Sequence, residues 1–545
     1  MTDPAASITL DKSYYQPGDP VNLTIRAAAG QRATVTVSYL NRVIATFEAD
    51  LLDGTATVDY TPPPETPRGY GLTVVITVAN GDVVAEASTA FDVLDHWIQS
   101  PRYGFLTEFA PGRDNIDETM DWLRRYHVNG LQFYDWQYRH ETLMPPTSDY
   151  RDLLDKQMSL DTIKALIAAA QDSNIAAMPY TAIYGASWSF YEAHPDWALF
   201  QYPGRPYAFG DNYLAIMNPA PDSPWTDHLL GEFRRVLAET NFDGIHIDQY
   251  GAPMVGLDHD NQRVRLDEAF PAFINATAAL VDEARGDTGV TIFNAVRNWP
   301  MPAVAPSDQD AVYIEVWEPY RDFIDLHRIV VEAQKLGNQK PVILAAYMSP
   351  AWAANVRLAN AMIFASGGYH IELGEPGVLL ADPYFPKFET MTPTMQQVMQ
   401  RYYDFRVRYE NVLYPGAVDA TTERASALSI AGVETLAWNG TKDAVAVIVR
   451  QGDDFETFSL VNLLGIAHSY WEQALPAAPT VQHDLHVQVR VSKPVRQVWA
   501  ASPDFDNIAP QTVPFTTGSD AVGSTISFNL SELQYWQIIV LDYAT

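Results

Sequence analysis

The feature that most constrains the fold is an eightfold alternation of apolar and amphipathic segments between residues 102 and about 415. Between the apolar segments, side chains recur three or four positions apart, as at Ile116, Met120 and Leu123. This spacing places them on one face of a helix. Alternating strands and helices of this kind predict a (β/α)₈ barrel. The eight predicted strands are RYGFLTEF, GLQFYDW, IAAMPY, FDGIHIDQ, VTIFNAV, AVYIEVW, PVILAAY and YHIELG.

One connection fits this pattern less well than the others. The segment RNWPMPAVAPSD, between the fifth and sixth predicted strands, is too short and too rich in proline for a full helix. A doubly wound open sheet is therefore the structural alternative to a closed barrel.

The segments on either side of the barrel show the two-residue alternation of β-strands. The first 97 residues contain VNLTIRA, ATVTVSYL and GLTVVITVA, broken by turn signals, and predict an immunoglobulin-like β-sandwich. Runs such as AVAVIVRQ, LHVQVRV and YWQIIVLDY predict a C-terminal antiparallel β-domain of the Greek-key type. We therefore expect three domains, at residues 1–97, 98–415 and 416–545. In the last domain we expect core positions for most of its large aromatic side chains, Trp438, Trp471, Trp499, Tyr535 and Trp536.

Charge and composition narrow the classes of partner. Sixty-seven acidic against 35 basic side chains give a formal net charge of −32, which repels nucleic acid and anionic membranes. The absence of cysteine excludes disulfides and thiolate chemistry. A 12% share of aromatic residues suits an uncharged, hydroxyl-rich ligand, although ordinary core aromatics account for it equally well.

The strongest chemical signal is a pair of carboxylates at predicted strand ends. Active sites of such barrels lie at the carboxyl ends of the strands. Alternation in FDGIHIDQY puts His246 and Asp248 on one face, and YIEVWE groups Glu315 with Trp317. Two carboxylates facing each other over a barrel mouth predict cleavage of a glycosidic bond. A loop cap at Asp248 and a structural ion pair at Glu315 are the alternative, since either acid alone has such a use.

Other catalytic patterns are missing from the sequence. There is no HExxH helix, no G-x-S-x-G, and no glycine-rich phosphate loop. The segment DHDN at 258–261 lacks the spacing of a calcium loop. We therefore expect no catalytic metal and no cofactor.

The motifs RYGFLTEF, YHVNGLQFYDWQYRH, FDGIHIDQYG and YIEVWE, in this order, resemble glycoside hydrolase family 66. This family contains bacterial endo-dextranases and cycloisomaltooligosaccharide glucanotransferases. The resemblance implies retaining endo-hydrolysis of α-1,6-glucosidic bonds, with Asp248 as nucleophile and Glu315 as acid/base. Retention predicts the two carboxyl groups about 5–5.5 Å apart. Position at strand ends further predicts these substrate contacts: Tyr134, Asp135, His140, Tyr180, Tyr184, His246, Asn294, Trp317, Tyr347 and Glu372.

The choice between the two activities depends on an insertion. The resemblance implies that cyclising members carry an extra carbohydrate-binding module within the catalytic region, and this barrel shows none. Its longest excursion, about residues 181–224, lacks the strand series of a module. We therefore favour a dextranase over a glucanotransferase, and either enzyme over a non-catalytic glucan-binding protein. Aromatic residues of the excursion are candidates for glucose subsites, namely Tyr184, Trp188, Phe190, Tyr191, Trp197, Tyr202 and Tyr207.

The expected partners and location follow from that activity. We expect dextran and isomaltooligosaccharides as ligands, and a monomer. The N-terminus MTDPAASITL has no signal-peptide pattern, and no run of 18 apolar residues occurs. A polymer-degrading enzyme needs export, so we expect a secreted or cell-surface protein whose signal peptide is absent from this sequence.

Overall fold

The computed structural model of the chain describes residues 5–436 and 442–544, so Trp438 lies outside the described residues. The chain is a mixed α/β and β protein in which a sheet of eight parallel strands lies between two groups of antiparallel sheets. Each group has its own buried hydrophobic cluster.

The N-terminal strands form two antiparallel sheets that share one core. Their orders are β1-β2-β5 and β4-β3-β6-β7. Inward-facing side chains such as Leu23, Val35 and Val74 are fully buried between them. The strands are β1 Ala6–Leu10, β2 Val21–Ala27, β3 Gln31–Tyr39, β4 Arg42–Leu51, β5 Thr55–Tyr60, β6 Arg68–Thr77 and β7 Val83–Val93.

The eight predicted barrel strands are confirmed. They pair in parallel in chain order: β8 Tyr103–Leu106, β9 Gly130–Phe133, β10 Ala176–Ala182, β11 Gly244–Asp248, β12 Val290–Asn294, β13 Ala311–Glu315, β14 Val342–Ala345 and β15 Tyr369–His370.

The sheet closes between its first strand and the segment after its last. Phe105 N–H donates to the carbonyl of Leu373 across 3.1 Å. Gly374 permits this approach, because a Cβ there would lie 2.0 Å from the carbonyl oxygen of Phe105. Contact between the two ends fits a (β/α)₈ barrel and not the open-sheet alternative.

Helices cover the outside of the barrel. Outward-facing Leu131, Ile245 and Ile247 share their buried cluster with Leu166 and Phe233 of the helices. The connection between β12 and β13 holds only a 3₁₀ turn and the short helix Met301–Val304, as its sequence predicts. No helix in the described part of the chain is long and apolar enough to cross a membrane. The main helices are α1 Ile116–Arg125, α2 Leu160–Asp172, α3 Pro224–Glu239, α4 Leu266–Arg285, α5 Phe323–Leu336, α6 Ala353–Ala365 and α7 Pro393–Arg408.

The C-terminal strands form a seven-stranded and a four-stranded sheet. The first has the order β16-β19-β20-β26-β22-β23 with β18 beside β19, and the second has the order β17-β21-β25-β24. The strands are β16 Val418–Asp419, β17 Leu428–Ile430, β18 Thr435–Leu436, β19 Val445–Gln451, β20 Phe455–Asn462, β21 Gln482–Arg490, β22 Val495–Ala501, β23 Gln511–Thr512, β24 Phe515–Ser519, β25 Ser524–Leu533 and β26 Trp536–Tyr543.

The large aromatic side chains of this region are buried, as expected for core residues. Trp471, Trp499, Tyr535 and Trp536 are at most 9% exposed. They belong to the same hydrophobic cluster as the barrel helices, so they join the C-terminal sheets to the barrel rather than forming a sugar platform.

Candidate active site

A cavity of about 790 Å³ opens at the carboxyl ends of the barrel strands. Its lining includes seven of the residues predicted from the sequence: Tyr134, Asp135, His140, Tyr180, Asp248, Glu315 and Trp317. The two predicted catalytic acids therefore share one cavity.

Asp248 is the last residue of β11 and receives two side-chain hydrogen bonds. Tyr180 Oη donates to its Oδ2 across 2.8 Å, and Asn294 Nδ2 donates to its Oδ1 across 2.7 Å. Burial raises the pKa of Asp248 above its usual value, and these two donors offset part of that rise. The donors fix the carboxylate and favour its ionised form.

Glu315 is the last residue of β13 and is 9% exposed. Tyr347 Oη donates to its Oε1 across 2.9 Å, and Asn294 Nδ2 lies 3.3 Å from its Oε2. Burial raises the pKa of Glu315, and the neighbouring charge of Asp248 raises it further. A carboxyl group in this setting holds a proton that it can donate near neutral pH.

Asn294 connects the two acids. Because its Nδ2 bonds one oxygen of each, those oxygens of Asp248 and Glu315 lie within about 6 Å of each other. The Oδ1 of the same amide accepts the backbone N–H of Glu315 at 3.2 Å, which fixes the amide orientation. Asn294 thus contacts the two acids, whereas its strand-end position had predicted a substrate contact, and it is not among the cavity-lining residues.

His246, which the sequence predicts as a substrate contact, is not among the residues that line the cavity. It is 1% exposed and stacks on Tyr103, whose Oη lies 3.2 Å from its Nδ1. Burial lowers the pKa of His246 to about 3, so the ring is neutral. Its side chain points toward the barrel axis as expected, but His246 comes two residues before Asp248 on β11 and therefore lies deeper in the barrel.

Tyr184 and Glu372, also predicted as substrate contacts, are likewise not among the cavity-lining residues. Tyr184 is fully buried, and its Oη accepts the backbone N–H of Tyr250 at 2.8 Å. Glu372 is 1% exposed and accepts hydrogen bonds from Asn360 and Tyr403 at 2.8 and 3.1 Å. Each side chain supports the structure behind the site.

Asp135 and His140, both predicted as substrate contacts, line the cavity. Asp135 has φ of 52°, in the left-handed region that, among residues other than glycine, is adopted most often by asparagine, aspartate and histidine. Burial raises the pKa of Asp135 to about 7, with a further contribution from Asp152. Burial lowers the pKa of His140 to about 4, which leaves its ring neutral. Both side chains suit the recognition of uncharged hydroxyl groups.

Several lining residues were missed from the sequence. Phe209 and Tyr213 come from the long excursion, whereas Tyr250 follows β11 and Tyr384 follows β15. Phe209 stacks on Tyr250 with ring centroids 4.5 Å apart. None of the seven excursion aromatics singled out from the sequence lines the cavity. The signal for Tyr384 was its aromatic setting DPYF just after the eighth strand.

A barrel of eight parallel strands with two hydrogen-bonded carboxylates at its mouth defines a glycoside-acting enzyme. The chain belongs to glycosyl hydrolase family 66, whose model matches residues 10–540.

Curated relatives in this family carry the name cycloisomaltooligosaccharide glucanotransferase. One, from Niallia circulans, is 24% identical over 702 aligned residues that span 98% of this chain and 72% of that protein. A second from the same organism is also 24% identical, over 698 residues that span 97% of this chain and 71% of that protein.

Two solved structures show the same fold class. The Paenibacillus sp. cycloisomaltooligosaccharide glucanotransferase complexed with cycloisomaltoheptaose has a TM-score of 0.90 and 23% identity, and covers 98% of this chain and 99% of that one. A noncanonic maltogenic α-amylase from Thermotoga neapolitana has a TM-score of 0.52 and 11% identity, and covers 82% of this chain and 100% of that one.

Proposed function

We propose that the chain cleaves α-1,6-glucosidic bonds with retention, using Asp248 as nucleophile and Glu315 as acid/base. The observation that carries the proposal is the Asn294 amide, which holds oxygens of the two carboxyl groups within about 6 Å of each other. Retaining enzymes place their carboxyl groups about 5–5.5 Å apart, whereas inverting enzymes leave about 6.5–9.5 Å for a water molecule.

The electrostatics support the same roles. Asp248 attacks the anomeric carbon while Glu315 gives its proton to the departing glucosyl oxygen. The resulting ester on Asp248 is then attacked by a hydroxyl group whose proton returns to Glu315. Two hydrogen-bond donors favour the ionised form of Asp248, and burial together with the Asp248 charge favours the protonated form of Glu315.

For the second step, we propose transfer to a sugar hydroxyl, giving cycloisomaltooligosaccharides, as the principal reaction. The relatives are named for this transfer, so the preference for hydrolysis drawn from the sequence is not supported by them. Hydrolysis of dextran is the second candidate. It is favoured by one observation: the alignment spans 702 residues, whereas this chain has 545, so the relative contains many residues without a counterpart in this chain.

We also propose the substrate contacts, the domain boundaries and the location of the protein. The cavity-lining Tyr134, Asp135, His140, Tyr180 and Trp317 contact the bound glucan, and Tyr347 and Asn294 position the acids. Domains divide at residues 97 and 415, and the first has an immunoglobulin-like arrangement. The enzyme is a secreted or cell-surface monomer, since a polymer such as dextran does not enter cells.

Incubation with dextran tests the proposal. The wild-type chain is expected to release cyclic products, separable from linear isomaltooligosaccharides by chromatography, and to leave α-1,4-glucan intact. Asp248→Asn and Glu315→Gln variants are expected to lose release while still binding dextran. Wild-type activity in both variants would overturn the roles, and activity on α-1,4-glucan alone would overturn the substrate class.

A further inference from the structure

Arg297 lies on the wall of the active-site cavity, three residues beyond Asn294 at the end of β12. Its side chain is exposed, and it is the one lysine or arginine among the cavity-lining residues of the described chain. None of the other described residues forms an ion pair with its guanidinium group. The group is therefore available to a ligand.

The backbone at Arg297 does not favour arginine. Its φ of 60° and ψ of 28° lie in the left-handed region, and Asn298 follows with φ of 59°. Asn298 Nδ2 lies 3.2 Å from both Tyr320 Oη and Glu332 Oε2, which hold this turn in place. Asparagine or glycine suits such a conformation better than arginine. Non-glycine residues in strained conformations cluster at functional sites, so the arginine side chain is the feature that needs explanation.

The position of Arg297 relates it to the acceptor side of the reaction. Glu315 protonates the leaving oxygen, and by reversal it deprotonates the oxygen that attacks the glycosyl ester. The acceptor therefore lies against Glu315. Two cavity-lining residues follow the ends of the strands nearest this position: Trp317 comes two residues after Glu315 ends β13, and Arg297 comes three residues after Asn294 ends the neighbouring β12.

We propose that Arg297 is a specificity-determining residue that binds the acceptor glucosyl unit, an inference that rests on the proposed function. Its planar guanidinium donates to neighbouring hydroxyl groups of the acceptor while Trp317 packs against the sugar face. The acceptor 6-hydroxyl oxygen then bonds to the anomeric carbon, and the bond to Asp248 breaks with its electron pair returning to the carboxylate. The hydroxyl proton passes to Glu315. Water uses the same path without needing Arg297, so this residue favours transfer over hydrolysis.

The test measures the ratio in which the glycosyl-enzyme reacts with a sugar acceptor and with water. The full chain is incubated with α-isomaltosyl fluoride and increasing isomaltotriose, and transfer and hydrolysis products are separated by chromatography. Arg297→Asn is expected to lower the ratio of transfer to hydrolysis about tenfold, the loss expected for a charged hydrogen bond. This ratio is set after fluoride leaves, so it does not depend on the rate of the first step.

Two further variants test the role of the guanidinium group and control for the loss of a positive charge. Arg297→Lys keeps the charge without the planar fork, and is expected to lower the ratio as Asn does. Arg234→Asn makes the same charge change on an exposed position of α3, and is expected to keep the wild-type ratio. Arg297→Asn is also expected to unfold at or above the wild-type temperature, because asparagine tolerates the left-handed backbone.

The outcomes separate this inference from the proposed function. An unchanged ratio in Arg297→Asn, or a full wild-type ratio in Arg297→Lys, would overturn the acceptor assignment alone. A wild-type chain that releases no fluoride would overturn the proposed function and this inference with it.

Discussion

Asn294 donates a hydrogen bond from Nδ2 to Oδ1 of Asp248 across 2.7 Å. The same nitrogen lies 3.3 Å from Glu315 Oε2, so one amide from the fifth barrel strand sets the spacing of the two acids. Replacing it removes a donor from both carboxylates while leaving each acid in place.

We expect Asn294→Ala to lower kcat/KM about 10–100-fold, because a hydrogen bond to a charged group contributes about 1.5–3 kcal/mol. The acid limb of the pH profile should also move to higher pH, since a donor that lowers the pKa of Asp248 is gone. Steady-state rates across pH provide the measurement. Asn275→Ala, an exposed change on α4, is the control, and full activity in Asn294→Ala would contradict the bridging role.

We expect replacement of the two tyrosines that bond the acids to change the width of the pH profile of activity in opposite directions. Asp248 must be ionised and Glu315 protonated, and each acid receives one tyrosine hydrogen bond that lowers its pKa. Tyr180→Phe therefore raises the pKa of Asp248, moves the acid limb up and narrows the profile. Tyr347→Phe raises the pKa of Glu315, moves the alkaline limb up and widens it. Equal shifts of the same limb in both variants would show that the acids are assigned wrongly.

Asp310 lies at the amino-terminal end of β13, opposite the active-site cavity, and we expect its titration to affect stability and not activity. Burial raises the pKa of Asp310 to about 6, although its Oδ2 accepts the N–H of Thr291 at 2.8 Å. The folded protein therefore binds this proton more tightly than the unfolded chain, whose aspartate has a pKa of about 3.9. Stability falls as pH rises from about 4 to 6, and the loss is complete above that window.

Asp310→Asn removes this dependence. We expect its Tm to exceed that of wild type at pH 7 and to match it near pH 4, as calorimetry across pH would show. Asp308→Asn, an exposed neighbour, is the control. A Tm difference that grows toward low pH would contradict a raised pKa of Asp310 in the folded protein.

Because the barrel closes through a tight contact at Gly374, we expect alanine at Gly374 and alanine at Gly231 to change the free energy of unfolding in opposite directions. A Cβ at Gly374 would meet the carbonyl oxygen of Phe105 at 2.0 Å, whereas nothing lies within 4 Å of a Cβ at Gly231 in α3. We expect Gly374→Ala to cost about 1–3 kcal/mol or more in the free energy of unfolding. Gly231→Ala should instead add about 0.5–1 kcal/mol, because alanine favours a helix. Urea unfolding measures both, and a neutral Gly374→Ala would argue against the close contact of the two ends.

The sequence predicted the barrel well because its signals are local. Two-residue and helical periodicities depend only on neighbouring residues, and they located all eight strands and the short connection after β12. The strand-end rule then brought Asp248 and Glu315 to one cavity.

The local sequence patterns did not predict how deep a side chain lies in the barrel or how the long excursion folds. Alternation put His246 and Asp248 on one face, but two residues along a strand lower a side chain by about 6.6 Å, into the packed interior. Phe209 and Tyr213 reach the cavity on one short hairpin of the excursion, in which Ala208–Phe209 pairs with Leu214–Ile216, whereas Trp188 and Trp197 pack against the core. Which aromatic faces the ligand depends on contacts between distant segments, and the sequence pattern does not contain them.

The most direct test of the account is the covalent attachment of sugar to Asp248. Glu315→Gln incubated with α-isomaltosyl fluoride should accumulate the glycosyl-enzyme, because fluoride leaves without an acid whereas the second step needs Glu315 as base. After acid quenching and digestion, mass spectrometry should find one isomaltosyl unit on the peptide that contains Asp248. A sugar-free Asp248 peptide, with the unit absent or carried by another carboxylate such as Asp135, would contradict the account.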